Sequence, residues 1–428
     1  MNISSSTDII PGKKCAFTIC TKSYIGLAEA LFASMRDAGS PFDTFIVVVD
    51  HDVSDVKSDV ATILSGKIFY GYTDEEWIAQ TFKYDVVEFC TSIKARSFLR
   101  FADQGYDSLV FFDPDILVFD DMQVILSALE DHEVVVTPHR LNMNSDIPSR
   151  GGLFNLGFLA VRNSVQTRNM LQWWDDRLVE HAFTDPARGL FTDQKWMDNL
   201  PLLIPPHQLA VMRHPGMNLA PWNLEEREIK LDGIEPFVRL RHTSDSWQKP
   251  SFVHYSAFNY RALAAGNITD KDRQVCSRSA GFESLVEQLM ERLRNGRFFE
   301  FSEVPYEYDT YSNGAPIHPG HRRIYAQLAR EGHEYNNPFD AAGPFFDALR
   351  SARMLSKASN RKLGSGRGQE RAAGRVVKVL DLLSGVCLRT LGYDRYYLLG
   401  KLLTRYLHPV NHARLVGKKG GDSSIEYF

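Results

Sequence analysis

The sequence predicts an α/β fold in which helices cover both faces of a sheet. Uninterrupted apolar runs such as FIVVV at 45–49 are typical of strands that are buried on both faces. These runs alternate with segments whose apolar residues recur at helical spacing. Two of the runs end directly in Asp, and ligands of such sheets bind outside the carboxyl ends of the strands. The pattern therefore predicts the fold class and also the edge of the sheet that carries a site.

The predicted elements follow one another along the amino-terminal part of the chain. CAFTIC (15–20) predicts a buried strand, and GLAEALFASM (26–35) predicts a helix because its apolar residues lie on one helix face. Four further strands are predicted at FIVVVD (45–50), SLVFFD (108–113), EVVVTP (133–138) and FNLGFLAVRN (154–163).

The carboxyl-terminal segment differs in charge from the rest of the chain. Residues 351–428 hold 15 Lys and Arg against 5 Asp and Glu, a net +10, so the overall −4 leaves −14 for residues 1–350. RKLGSGRGQERAAGR (361–375) predicts a flexible linker. The leucines, tyrosines and spaced basic residues that follow predict either an amphipathic helix pair at an anionic membrane surface or a helical cap on the main domain. No nucleic-acid partner is expected.

Cysteine use and hydropathy predict the compartment. The five cysteines contain no CxxC pair, so neither a disulfide framework nor a zinc site is expected. We expect no secretory leader at the start of the chain and no membrane span, because no apolar run approaches about 20 residues. A reducing, cytoplasmic setting fits these features, and the basic segment leaves a peripheral position on the inner face of the cell membrane open.

Two carboxylates interrupt an apolar stretch in LVFFDPDILVFDD (109–121). Carboxylates are rarely buried without a partner, and Asp113 and Asp115, at the end of a predicted strand, would be neutralised by a shared divalent cation. An EF-hand loop does not fit, because the sixth and twelfth positions from Asp113 are Val118 and Val124. A phosphatase of the haloacid dehalogenase type also begins with DxD after a strand, but Leu117 and the position along the chain depart from that pattern. The DxD of a nucleotide-sugar glycosyltransferase fits both position and context.

An ordered series of motifs between residues 13 and 262 resembles glycosyltransferase family 8 and its relatives of the GT-A fold. These motifs are KSYIGLAEALFASM (22–35), IKARSF (93–98), FFDPDILVFDD (111–121), FNLGFLAVRN (154–163), FTDQKW (191–196) and FVHYSAFNY (252–260). The resemblance implies a Rossmann-like mixed sheet flanked by helices, with a helical basic carboxyl-terminal extension. It also implies a catalytic domain at 1–262 and a helical extension at 263–350 that completes it on the acceptor side, followed by the linker and basic amphipathic segment at 351–428.

Residue roles are implied by the same resemblance. It implies that Asp113, Asp115 and His254 bind the metal, and that Asp193 and Gln194 lie beside the reacting sugar carbon. Contacts to the nucleotide sugar fall to Tyr24, Arg96 and Asn155. Two positions depart from the family pattern. Thr21 and Lys22 stand where the family has an Asp for the uracil base, and Tyr260 replaces a diphosphate-binding Lys, for which Lys249 is the predicted substitute.

The resulting prediction is a metal-dependent glycosyltransferase of the hexosyltransferase type. Two carboxylates and a His suit Mn²⁺ and are also compatible with Mg²⁺. The donor is a nucleoside diphosphate sugar, and the acceptor is a glycan or glycolipid in bacterial surface polysaccharide or lipopolysaccharide assembly. The DQ pair favours retention of the anomeric configuration. A metal-dependent phosphohydrolase and a noncatalytic nucleotide-binding scaffold are the alternatives.

Overall fold

The computed structural model describes residues 12–142, 151–243, 246–355 and 367–416, with side chains in the last range described from residue 379. The chain divides into two units. The first comprises Met1–Thr73 and Val86–Glu307, and the second comprises Asp74–Asp85 and Tyr308–Phe428.

All strands of the described chain belong to the first unit. In chain order they are β1 (Lys14–Cys20), β2 (Asp43–Val48), β3 (Thr62–Ser65), β4 (Ser108–Phe112), β5 (Ile116–Val118), β6 (Val134–Pro138), β7 (Phe154–Arg162), β8 (Thr184–Asp185), β9 (Leu190–Phe191), β10 (Leu209–Val211), β11 (Arg227–Asp232), β12 (Glu235–Leu240) and β13 (Phe252–His254). The five strands and the helix predicted from apolar runs are present within one to two residues of their predicted bounds.

The described helices fall into both units. Those of the first unit are α1 (Ile25–Asp37), α2 (Gly66–Tyr70), α4 (Val86–Ser92), α5 (Lys94–Asp103), α6 (Gln123–Asp131), α7 (Val165–His181), α8 (Leu200–Leu203), α9 (Tyr260–Ala264), α10 (Asp270–Cys276), α11 (Phe282–Asn295) and α12 (Phe298–Phe301). Those of the second unit are α3 (Asp74–Lys83), α13 (Pro319–Arg330), α14 (Pro344–Ser351), α15 (Arg367–Leu391), α16 (Tyr393–Tyr406) and α17 (Ala413–Val416).

Seven strands form one mixed sheet in the order β10-β6-β7-β4-β1-β2-β3. Neighbouring strands run parallel except at β7, which lies antiparallel between β4 and β6. Because of this reversal, the amino end of β7 lies at the same edge of the sheet as the carboxyl ends of β1, β4 and β6. The predicted mixed α/β sheet flanked by helices is confirmed.

Alternate residues of the strands pack against different helices. On β1, Phe17 contacts Phe98 of α5 at 4.8 Å between ring centroids and Phe111 of β4 at 5.4 Å. Its neighbour Ala16 belongs instead to an apolar core that includes Leu31 of α1. Side chains alternate between the two faces of a sheet, so both faces are covered and the strands are apolar along their whole length.

A turn at Asp113–Ile116 separates two sheets. The amide of Ile116 donates to the carbonyl of Asp113 at 3.2 Å, and Pro114 occupies the second turn position, where its fixed φ is favourable. The chain leaves the large sheet at Phe112 and continues as β5, which pairs antiparallel with β13. The apolar stretch around DPD is therefore two strands in two sheets, and the carboxylates lie at the junction.

The second unit has its own apolar core, formed among other residues by Phe82, Tyr325, Phe345 and Ala413. The predicted linker at 361–375 lies partly outside the described residues, and its part from Arg367 onward is helix α15 rather than flexible chain. The Arg, Gln, Glu and Ala residues of RGQERAAGR (367–375) are strong helix formers, which outweigh the two glycines. Among the described residues, no helix combines the length and apolar character needed to cross a bilayer.

Candidate metal centre and active site

Sheet topology brings separate parts of the chain to one edge. Tyr24 follows β1, Asp113 follows β4, His139 follows β6, and Asn155 lies at the start of the antiparallel strand β7. His254 joins them because the register of β13 on β5 sets it opposite Ile116, and the amide of Tyr255 donates to the carbonyl of Asp115 at 2.9 Å. This edge is the one predicted from the strand-terminal carboxylates.

Asp113, Asp115 and His254 form a cluster whose ligand atoms all lie within 4.8 Å of one another. His254 Nε2 is 3.1 Å from Asp115 Oδ1 and 3.7 Å from Asp113 Oδ2. Two ligands at about 2.1 Å from one ion and at right angles are about 3 Å apart, so these separations fit three ligands of one divalent cation. The donor set fits Mn²⁺ or Mg²⁺.

Electrostatics at the cluster indicate that it accommodates positive charge. Burial raises the pKa of Asp113 to about 6 despite the opposing effect of Lys94 and His254, although 32% of its side chain faces the cavity. Burial acts to raise the pKa of Asp115 as well, but the charge and hydrogen bond of His254 and the hydroxyl of Tyr260 outweigh it and lower that pKa. Burial acts to lower the pKa of His254, but the negative charges of Asp115 and Asp113 outweigh it, so that pKa is raised.

Asn155 fixes the ring of His254. Its Oδ1 lies 3.3 Å from Nδ1 of His254 and also accepts from the side-chain Nδ2 of Asn218 at 3.2 Å. When Nδ1–H of His254 donates to Asn155, Nε2 remains as the nitrogen that faces the two carboxylates. A hydrogen bond on the second ring nitrogen is the usual way in which a metal-binding His is oriented.

A buried ion pair lies beside the cluster. Lys94 Nζ is 2.6 Å from Asp193 Oδ2 and 4.0 Å from Asp113 Oδ1, and it also donates to the carbonyl of Leu156 at 2.8 Å. Lys94 is 2% exposed and Asp193 is 2% exposed. Burial removes both charges from water, which is costly unless the two groups are held together. Asp193 precedes a short 3₁₀ segment, but its side chain pairs with Lys94 and makes no cap hydrogen bond.

Gln194 is held by hydrogen bonds on both sides of its amide. Its Oε1 accepts from the amide of Leu156 at 2.9 Å and from Asn155 Nδ2 at 3.3 Å, and its Nε2 donates to the carbonyl of Gly151 at 2.7 Å. The side chain therefore fixes the start of β7 and lies at the cavity wall in a single orientation.

Thr192 has an unfavourable backbone conformation beside Asp193. Its φ is 47°, although a β-branched residue is a clear outlier at positive φ. Its hydroxyl donates to Asp193 Oδ1 at 3.0 Å. Such a conformation costs about 1–3 kcal/mol and occurs mainly where the surrounding structure fixes a functional group. Thr192 and Lys94 thus hold the Asp193 carboxylate from two sides.

The site faces a cavity of about 940 Å³ within the first unit. Seven of the nine predicted site residues line it, namely Tyr24, Asp113, Asp115, Asn155, Asp193, Gln194 and His254. Arg96 and Lys249 do not. Arg96 pairs with Asp175 at 2.9 Å and covers the ring of Tyr72, whereas Lys249 forms an exposed ion pair with Glu235.

Four of the other lining residues contribute to the site although the sequence-based assignment gave them no role. Lys94 lies two positions before Arg96 and supplies the buried cation instead. Tyr260 donates to Asp115 Oδ2 at 2.7 Å and meets the ring of Tyr24 edge-on at 6.1 Å. His139 and Trp222 complete the wall near His254. The two carboxylates of the DxD motif require a nearby positive charge, and this requirement is a sequence signal for Lys94. No comparable sequence signal identifies His139 or Trp222.

No family model matches the chain. The uncharacterized protein YfnF of Bacillus subtilis (strain 168) is 24% identical over 217 residues, which cover 48% of this chain and 71% of YfnF. Similar solved structures include the galactosyltransferase LgtC in complex with donor and acceptor sugar analogs, at 13% identity and a TM-score of 0.40 over 69% of this chain and 98% of that one. Mouse xyloside xylosyltransferase 1 has 11% identity and a TM-score of 0.32 over 57% and 98%, respectively. These neighbours are glycosyltransferases, but TM-scores this low assign no activity to the chain.

Proposed function

We propose that this protein is a metal-dependent glycosyltransferase of the GT-A, family 8-like type that moves a hexosyl group from a nucleoside diphosphate sugar to a saccharide acceptor. The observation that carries the proposal is the Asp113, Asp115 and His254 cluster in a cavity of about 940 Å³, beside the buried Lys94–Asp193 pair. Large clefts with a few convergent polar groups are the usual form of small-molecule sites.

The two carboxylates and His254 Nε2 would hold Mn²⁺ or Mg²⁺. A bound cation supplies Lewis acidity and positive charge to a leaving diphosphate. Tyr260 keeps the carboxylate of Asp115 oriented by donating to its Oδ2. Lys94 adds a fixed cation 4.0 Å from Asp113, and such preorganised charge stabilises negative charge that develops on a leaving group. We assign to Lys94 the electrostatic role expected of Arg96 or Lys249, because it lines the cavity.

The donor sugar is assigned to the wall formed by Asp193, Gln194 and Asn155. The Asp193 carboxylate, held by Lys94 and Thr192, is placed to accept sugar hydroxyls. Gln194 is a weak nucleophile, so departure of the diphosphate and attack of the acceptor on the same sugar face are favoured over a covalent intermediate. This assignment implies a retaining transferase. Tyr24, 40% exposed and lining the same cavity, is assigned to the nucleotide base.

The carboxyl-terminal helices support a membrane-facing role. Apolar side chains of α15 and α16 that are 51–69% exposed include Leu382, Val386, Tyr393, Tyr397, Leu398 and Leu402. Arg389, Arg395 and Lys401 are exposed among them. Apolar groups mixed with basic ones suit an anionic lipid surface. The assigned acceptor is accordingly a glycan on a lipid carrier or a lipopolysaccharide core, in bacterial surface polysaccharide assembly, with the enzyme cytoplasmic and peripheral on the inner membrane face.

Domain roles follow the sequence-based division. Residues 1–262 are assigned to donor binding and catalysis, residues 263–350 to completing the catalytic domain on the acceptor side, and residues 351–428 to the membrane-facing segment. The position of the metal ligands within the first of these ranges supports the assignment.

A thermal-shift panel of UDP-glucose, UDP-galactose, UDP-N-acetylglucosamine and GDP-mannose, with and without Mn²⁺, tests the proposal. A ligand that binds only the native state raises the melting temperature by mass action. We expect at least one donor to stabilise the protein only with Mn²⁺, and Asp113→Asn to lose that shift. Product analysis then separates the alternatives: a phosphohydrolase releases phosphate from monoesters without an acceptor, and a scaffold binds nucleotide without turnover.

A further inference from the structure

One tryptophan of the first unit lines the cavity beside the metal ligands. Trp222 is half-buried, and its ring lies 5.1 Å from that of His254 at an interplanar angle of 84°. The other half-buried tryptophans lie elsewhere. Trp247 packs against Lys230 and Arg239, and Trp173 packs against Trp196 and Arg177. Of these half-buried tryptophans, Trp222 is the one that contributes to the cavity wall.

The position of the Trp222 ring is fixed in advance. Its Nε1–H donates to the carbonyl of His139 at 3.0 Å. The following residue, Asn223, holds the loop by donating to the carbonyl of Asn218 at 2.9 Å and accepting from the amide of Ala220 at 3.0 Å. Because the polar atom of the indole is already used, the ring presents only carbon to the cavity. A rigid aromatic surface of this kind binds with little loss of conformational entropy.

The neighbouring His139 offers a hydrogen-bond acceptor. Its Nδ1 lies 2.9 Å from the carbonyl of Gly152, which accepts from Nδ1–H and leaves Nε2 unprotonated. Burial lowers the pKa of His139 to about 4, although the hydrogen bond to Gly152 acts to raise it. The imidazole is therefore neutral at ordinary pH. Nε2 lies 3.4 Å from Asn155 Nδ2, a long contact that a hydroxyl donor would improve on.

An apolar ring face beside a hydroxyl acceptor suits a sugar and does not suit a phosphate. The C–H groups of one pyranose face pack on aromatic carbon, while its hydroxyls require polar partners at the rim. The described contacts of Trp222 are to His139 and His254, and none is to Asp193, Gln194 or Asn155, to which the donor sugar is assigned. The acceptor sugar has no assigned binding surface yet, and this arrangement has the chemistry to bind it.

We infer that Trp222 is the platform on which a pyranose ring of the saccharide acceptor stacks, with His139 Nε2 accepting one of its hydroxyls. The inference rests on the proposed glycosyltransferase function and assigns its acceptor side. Trp222 then selects acceptors that expose one continuous C–H face to the indole, while donor binding depends on other residues.

Saturation-transfer NMR tests the inference without turnover. The full chain is mixed with UDP, diamagnetic Mg²⁺ and methyl β-D-galactopyranoside, methyl β-D-glucopyranoside or methyl α-D-mannopyranoside. We expect at least one glycoside to receive saturation from the wild type, and Trp222→Leu to reduce that signal by about tenfold, as truncation of a central aromatic anchor does. Trp222→Phe, which keeps an aromatic face, should retain part of the signal. Trp247→Leu is the matched control and should match the wild type.

Donor binding is measured on the same variants to separate this inference from the proposed function. Trp222→Leu should keep the Mn²⁺-dependent thermal shift with nucleotide sugar and, in turnover, raise the acceptor KM about tenfold with the donor KM within about twofold. Equal glycoside signals from Trp222→Leu and the wild type, including none from either, would overturn the platform. Loss of donor binding in Trp222→Leu would also overturn it. Absence of any donor shift in the wild type would instead refute the glycosyltransferase proposal.

Discussion

Lys94 Nζ lies 2.6 Å from Asp193 Oδ2, and each of these side chains exposes only 3% of its surface. The ion pair joins the first turn of α5 to the loop that precedes Gln194. Its burial makes the two charges interdependent, because neither can be solvated if the other is removed.

Replacing Lys94 with Met should therefore destabilise the protein strongly. Loss of one partner of a buried pair costs about 3–5 kcal/mol, because the remaining charge is left without compensation. The free energy of unfolding in urea measures this cost. The double variant Lys94→Met/Asp193→Asn should recover most of the stability but no turnover.

Arg273→Met supplies the matched control, because it breaks the exposed ion pair with Glu283. Exposed pairs contribute about 0–1 kcal/mol. If Lys94→Met lowers the free energy of unfolding no more than Arg273→Met does, Lys94 and Asp193 do not form a buried ion pair.

Asp113→Asn should abolish Mn²⁺ binding while leaving the fold intact. The pKa of Asp113 is raised by burial, so its charge is unfavourable in the metal-free protein, and the neutral amide should leave the free energy of unfolding unchanged or higher. Electron paramagnetic resonance of free Mn²⁺ gives the affinity, and circular dichroism checks the fold. Asp120→Asn alters a nearby carboxylate outside the cluster and should bind Mn²⁺ as the wild type does.

Gly157→Ala should disrupt the metal site from within the sheet. A Cβ at residue 157 would lie 2.5 Å from His254 Cε1 and 2.8 Å from Asp113 Oδ2, so both ligands would have to move. We expect Mn²⁺ affinity to fall at least about tenfold and the free energy of unfolding to fall by about 1–3 kcal/mol. Calorimetric titration with Mn²⁺ measures the first effect.

Gly400→Ala in α16 is the control for this substitution, since its Cβ would meet no atom within 4 Å. A helical Gly→Ala change is expected to stabilise by about 0.5–1 kcal/mol, with Mn²⁺ affinity unchanged. Wild-type affinity in Gly157→Ala would contradict the close approach of β7 to the ligands.

An α-linked nucleotide sugar should give an α-linked product. The coupling constant of the product's anomeric proton in NMR decides between retention and inversion. We expect Gln194→Ala to lower kcat at least about tenfold, ~1.4 kcal/mol in the barrier, with little change in donor affinity, because the family resemblance implies a position beside the reacting sugar carbon. A β-linked product would refute the retaining mechanism but leave the metal site untouched.

Serine substitutions on the carboxyl-terminal helices should release the protein from anionic vesicles. Leu382, Leu398 and Leu402 are 69%, 58% and 52% exposed, so their replacement by Ser removes apolar surface without opening a core. We expect the triple variant to lose most of its sedimentation with phosphatidylserine vesicles, and wild-type binding to weaken in high salt. Ile234→Ser, at an 88% exposed position outside these helices, should bind as the wild type does.

Point variants test the carboxyl-terminal helices more cleanly than truncation after residue 350 would. Val410 and Ala413 are buried, and α17 and the preceding 3₁₀ segment belong to the second unit together with α13. Removal of the whole segment would therefore alter that unit's core as well as the exposed helices.

Five of the seven strands of the large sheet could be predicted because they are continuous apolar runs; the edge strands β3 and β10, only four and three residues long, were not predicted. The short strands β5 and β13 could not, because three residues carry little periodicity and their pairing depends on a partner far away in the chain. Motif order nevertheless groups Asp113, Asp115 and His254, and the structure places them in one cluster; their role as metal ligands stays a prediction.

Arg96 illustrates what motif position leaves undetermined. Residues two apart on a helix are related by a rotation of about 200°, so they point to nearly opposite sides. The rotation of α5 about its axis therefore decides whether Lys94 or Arg96 faces the cavity. Packing of α5 on the sheet settles that rotation, and it turns Lys94 toward Asp193 and Arg96 toward Asp175. Lys249 was placed by distance along the chain from His254, but it pairs with Glu235. The position of the Trp222 ring depends on the conformation of the loop between β10 and β11, and no local sequence pattern predicts that conformation.

The pairing of β5 with β13 also sets the time at which the cluster of Asp113, Asp115 and His254 can first form during synthesis. Tyr260 and Asp115 are 145 positions apart, and the histidine ligand lies just before Tyr260. A nascent chain therefore carries both acidic ligands long before the imidazole leaves the ribosome, at about 5–20 residues per second. Cation capture must follow closure of this long loop, whose entropic cost grows only slowly with length. If the three residues hold a metal as proposed, the ion can bind only after every strand of the seven-stranded sheet has been synthesised.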